Sequence, residues 1–208
     1  MPKDYTTTNV GGSENIRTGG HKCAIKEVKE VVSKNGNNML LIRFDTDNAD
    51  AQPLFFTKLY NAERNSRGTE AKWKGNYYIV TSGQYGTANL KRFVTSVEHS
   101  NPGFKVQWDM QPGDGRFVNC FTGRKIGVIF GQEEYEKQDG NIGKSTKPVR
   151  VCDYAKAAEA EIPPLKTMSA KNKKKAETGG FSGYTDQPMS TEEFMQMDAM
   201  TGPGLPFM

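Results

Sequence analysis

The chain has 208 residues, 35% of them hydrophobic and 25% charged, and a formal net charge of +4. It holds no run of 18 apolar residues, which excludes a membrane-spanning helix, and its three cysteines (Cys23, Cys120 and Cys152) lie too far apart for a disulfide framework. So low an apolar content predicts one folded domain sharing the chain with polar, extended segments.

Residues 1–20 are rich in Gly, Thr, Ser and Asn and carry no apolar leader, so they read as the flexible start of a cytoplasmic protein. From His21 to Lys34, Ile25, Val28, Val31 and Val32 near-alternate with charges. Asn35-Gly36 is a hairpin turn signal. In MLLIRFDTD, Leu40, Ile42 and Phe44 face one way while Leu41 and Arg43 face the other, so a second strand follows the first. PLFFTKLY, 53–60, predicts a third strand or the approach to one. NAERNSRGTEAKWKG, 61–75, reads as a loop, and NYYIVTS, 76–82, as another short extended piece. The period then changes. Leu90, Phe93, Val94 and Val97 recur at helical spacing, with Thr87 as a cap and Asn101-Pro102-Gly103 as the stop. RKIGVIFGQEEYEK, 124–137, alternates again, Asp139-Gly140 marks a second turn, and KPVRVCDYAK, 147–156, reads as the last strand. This order predicts a mainly β fold: a five-stranded OB-type barrel over 21–156, with a helix between strands 3 and 4. Residues 157–200 then form a flexible linker. Within it, the capping box Ser190-Thr191-Glu192-Glu193 precedes Phe194 and Met197 and marks a short helix over 191–199. Residues 201–208, TGPGLPFM, make an apolar tip.

Charge divides the chain. From Ala176 onward there are no basic residues and five acids: Glu177, Asp186, Glu192, Glu193 and Asp198. Residues 1–175 hold all 28 basic residues and 19 of the 24 acids, a net of +9. A basic body suggests a polyanionic partner, and an acidic tail suggests a separate task. Signs of catalysis are few. DGNIGKST, 139–146, matches only the second half of a phosphate-binding loop, has Gln138 where the first glycine belongs, and leads into Pro148 and a strand pattern instead of a helix. His21 and His99 belong to no catalytic signature, and the cysteines lack zinc spacing, so no enzyme, cofactor or metal is expected.

Cations interleaved with flat rings remain, and this is the pattern that binds single strands: charge follows the phosphates while rings stack on bases. PLFFTKLY offers Phe55, Phe56, Lys58 and Tyr60. KWKGNYY offers Lys72, Trp73, Lys74, Tyr77 and Tyr78. Arg43 joins them from strand 2, and Arg124, Lys125, Tyr135, Lys144, Lys147 and Arg150 surround the last hairpin. A barrel core also needs rings, so about half of these are expected to be buried. A protein-binding adaptor and an RNA-binding OB module remain alternatives.

HKCAIKEVKEVVSKNGNNMLLIRFD, GTANLKRFVTSVE and GRKIGVIFGQEEYEKQDGNIGKSTKPVRVCDY together resemble a family of phage and mobile-element OB-fold proteins. That family was long classed as a domain of unknown function and is associated with single-stranded-DNA binding. The likeness covers about residues 20–156 and implies DNA contacts on the barrel face. The end of the chain is similar to the tip of bacterial single-stranded-DNA-binding proteins, where an acidic tail closes on Pro-Phe. Asp198, Leu205, Pro206 and Phe207 carry that likeness, although Met208 follows the phenylalanine. It implies docking onto replication or recombination proteins, a phage strand-annealing recombinase among them. A homo-oligomer is left open.

Overall fold

The computed structural model describes residues 15–83 and 85–168. Five strands, β1 (Gly19–Val32), β2 (Asn38–Thr46), β3 (Asn76–Val80), β4 (Lys125–Glu136) and β5 (Ile142–Cys152), form one sheet in the order β3-β2-β1-β4-β5. Every neighbouring pair is antiparallel. Helix α1 spans Phe55–Arg67, α2 spans Gly86–Ser100 between β3 and β4, and the short α3 spans Arg116–Asn119. The predicted helix between strands 3 and 4 is thus present.

The alternation in the sequence sets the faces. Ile42 pairs with Val28 and Tyr77, and Cys23 pairs with Ile126. These rows meet Phe93 and Val97 of α2 and Phe44, Phe121 and Phe130 in one core. A bulge between Ile25 and Glu27 shifts the phase of β1, which puts Val28 inside and Glu27 and Lys29 outside. The opposite face carries two rows, Lys29–Leu41–Tyr78 and Glu27–Arg43–Asn76.

Two expectations are corrected. PLFFTKLY is not a strand: Phe55 opens α1, and Asn61–Arg67, read as loop, continues that helix. The helix start is held by residues from the end of β2. Thr46 Oγ1 accepts the Phe55 N–H, and Asp45 Oδ1 accepts the Phe56 N–H at 2.9 Å. Phe55, Phe56 and Leu59 then turn inward together. The second correction concerns closure. No ladder joins the edge strands β3 and β5, so the sheet is not a closed barrel. One side-chain bond spans the seam, from the Tyr77 hydroxyl to the Val149 carbonyl at 3.1 Å.

Packing continues past Lys156. A 3-10 turn over Tyr154–Glu159 lies on the outer face of β1 and β4 and buries Ala157 fully. The approach requires glycine: a Cβ on Gly20 would lie 1.8 Å from the Ala157 carbonyl oxygen. Beyond the turn, Lys166 bonds to the β4 backbone. It donates its N–H to Gln132 and accepts from Glu134, both at 2.9 Å. This segment occupies the edge of β4 that β1 does not reach.

Candidate nucleic-acid interface

The structure separates the predicted residues into three groups. The first is core. Phe55 and Phe56 are 7% and 5% exposed, so neither presents a ring to a base, contrary to the expectation for them. Phe56 packs against Phe44, Phe130 and Trp73. Trp73 is half-buried, lies between Phe56 and Tyr60 (ring centroids 6.5 and 5.9 Å away), and donates its indole N–H to Gly75. Tyr77 is committed to the seam, and burial raises the pKa of its phenol while the Arg92 charge pulls it down.

The second group consists of cations already engaged. Arg43 Nη1 lies 2.8 Å from Glu27, and Glu27 also accepts from Lys29 at 3.0 Å. The Lys29 hydrogen bond, helped by Arg43, holds the Glu27 carboxyl below its usual range. Lys74 pairs with Glu63, and Lys147 with Glu133. Arg124 lies over the Phe104 ring at 4.3 Å, and Lys125 over Tyr154 at 5.0 Å. These charges still add to the field, but their geometry is fixed by other partners.

The third group is exposed or half-buried. Lys58 is exposed on α1, and Lys72 is exposed in the segment between α1 and β3. Tyr78 and Tyr135 are half-buried on β3 and β4, and Tyr135 covers Gly143, its pairing partner on β5. Lys144 and Arg150 project from β5 and are exposed. Gly143, Lys144 and Ser145 lie within β5, opposite Glu133–Tyr135, so the phosphate-loop-like string is part of a hairpin arm.

Arg150 lines a cleft in which three cations converge. Beside the seam, a cleft of about 500 Å³ is lined by Arg92, Ile129, Arg150, Val151, Cys152, Lys156, Glu159 and Ala160. Three elements build it: α2 supplies Arg92, β5 supplies Arg150, and the 3-10 turn supplies Lys156. Lys156 reaches Asp153 at 3.0 Å, whereas Arg92 and Arg150 have no acidic partner among the described residues. Burial, then Asp153, raises the pKa of the Cys152 thiol, and Arg150 and Lys156 oppose them. The arrangement can hold phosphate groups over a partly apolar floor. It shows no nucleophile with a paired base. Among the described residues no His, Cys, Asp and Glu cluster could hold a metal, and no helix is long and apolar enough to cross a membrane.

Sequence reasoning missed Arg92 and Lys156. Arg92 lies off the apolar stripe of α2, a signal for exposure but not for convergence. The tip residues Asp198, Leu205, Pro206 and Phe207, and the expected helix over 191–199, lie outside the described residues. No protein-family model matches the chain, and no curated protein matches it.

Proposed function

We propose that the protein binds single-stranded DNA with little base preference and without catalysis. The observation that carries this reading is the convergence of Arg92, Arg150 and Lys156 on the seam cleft, two of them without acidic partners. Lys144 extends the positive path along β5. Across the seam, the outer face of β2 and β3 adds Arg43 and Tyr78. We read the sheet as an OB-type barrel left open between β3 and β5. Oligonucleotides lie on the strand 2–3 face and the loops of such barrels. Phosphate contacts then supply affinity while rings accept any base. Under this reading the protein coats single strands during replication or recombination of a phage or mobile element. Its tip, Leu205-Pro206-Phe207, would recruit a recombination or replication protein through an aromatic anchor.

A polarisation titration with labelled oligo-dT, duplex DNA and RNA of matched length tests this. Tight dT binding and weak duplex binding are expected. An affinity for RNA equal to that for dT would make the protein an RNA-binding module of the same kind. Absence of binding to all three would leave the adaptor reading.

A further inference from the structure

A second concave region lies at the other end of α2 from the C-terminal cap, where the loop before α3 meets the tip of the β1–β2 hairpin. Its cleft of about 580 Å³ is lined by Val32, Met39, Leu90, Trp108 and Phe117 together with Glu30, Asp109 and neighbours. Trp108 is 58% exposed and is unlike the other tryptophan, Trp73, which is packed against the core. One face of its indole is covered. Phe117 stacks on it with centroids 4.9 Å apart and planes 12° apart, and Phe117 in turn meets Phe121 edge-on in the core.

The loop that carries Trp108 is braced. Asp109 Oδ1 accepts the Phe117 N–H at 2.7 Å, while Asp114 accepts from both Met110 and Arg116. The ring is therefore held before any ligand arrives, and little rotamer freedom remains to be lost on binding. Lys34 and Lys91, both exposed, are close in the chain to two lining residues: Lys34 is two residues past Val32 and Lys91 follows Leu90. Neither has an acidic partner among the described residues. The lining itself contributes carboxylates, Glu30 and Asp109, which repel phosphate. A nucleotide is thus admitted base first, with its phosphates outward toward solvent.

We propose that Trp108 is a base-stacking platform, forming with Phe117 and an incoming nucleobase a three-layer stack. This rests on the single-stranded-DNA reading and adds to it a contact site distinct from the seam cleft, on a loop instead of the sheet. The flat, one-sided exposure of the ring favours a base over a protein side chain, and every base has a face to stack.

The two tryptophans make the test direct. In Trp73→Phe, all indole emission comes from Trp108. Titration with oligo-dT is expected to quench that emission with the same midpoint as the polarisation curve. Trp108→Ala is expected to weaken dT binding by about 5- to 150-fold, the range for loss of one stacked base, with an unchanged unfolding midpoint. Trp108→Phe is expected to retain most of the affinity. If Trp73→Phe folds poorly, the difference in quenching between the unaltered chain and Trp108→Phe gives the same reading. Normal dT binding by polarisation, with constant Trp108 emission and full affinity in Trp108→Ala, overturns the platform and leaves the DNA reading intact. Absence of dT binding in the unaltered chain overturns both.

Discussion

Phe56 and Tyr154 show how a residue's surroundings decide its role. Phe56 has the composition of a stacking ring and the position of a core ring, against Phe44 and Phe130. Phe56→Ala is expected to cost about 3–5 kcal/mol of stability, as for other buried phenylalanines. A urea midpoint within error of the parent would contradict its placement. Tyr154 is held neutral. Burial, followed by its hydrogen bond to Asp47, raises its phenol from 10.0 to about 12. The fold therefore binds this proton more tightly than the unfolded chain does. The stability it contributes is complete below pH 10 and is lost as pH rises from 10 to about 12. Absorbance titration should show late-ionising tyrosine absorbance in that window, Tyr154 contributing alongside Tyr77, whose phenol is also raised. Tyr154→Phe should remove one tyrosine's share of it, and an unchanged titration curve would refute the assignment.

At the scale of elements, the contrast is between periodic segments and segments placed by distant partners. β1, β2, β4 and the 147–152 part of β5 were legible because alternation is a local signal, and α2 because Leu90, Phe93 and Val97 repeat at helical spacing. β5 begins earlier than expected, at Ile142, and ends at Cys152, before the 3-10 turn that falls within the expected strand 147–156. α1 was not legible as a helix. Its aromatics favour strands, and its first N–H groups are satisfied by Thr46 and Asp45, 9 and 11 residues upstream, in an arrangement only the fold reveals. The same holds for the interface. Cations could be read from the sequence, but the acids that occupy them could not: Glu27 on Arg43, Glu63 on Lys74, Glu133 on Lys147. Nor could the meeting of Arg92 with Arg150, which depends on α2 packing beside the seam. The 3-10 turn supplies a test at this scale. Gly20→Ala would put a methyl group into the Ala157 carbonyl and push the turn off the sheet. A loss of about 1–3 kcal/mol, typical of overpacking, and faster hydrogen exchange over 154–168 are expected. Unchanged exchange there would mean that the contact tolerates a side chain.

For the whole molecule, the governing quantity is charge. The body carries +9 and the last 33 residues carry −5, so affinity for a polyanion is expected to follow ionic strength. The log–log slope of dT affinity against salt should be roughly −0.7 per neutralised phosphate. Arg92→Glu combined with Arg150→Glu should weaken binding and flatten that slope by about two contacts. A slope unchanged by the double variant would place the phosphates elsewhere. The open seam has a consequence of another kind. A sheet that does not close ends in two strands whose outward backbone groups could accept a foreign strand, the common route to aggregation. β5 carries Lys144, Lys147 and Arg150 along that edge, with Pro148 in their midst removing one donor. On the proposed reading the β5 cations that would form a phosphate path also guard that edge against sheet growth, so solubility and ligand affinity would draw on the same side chains.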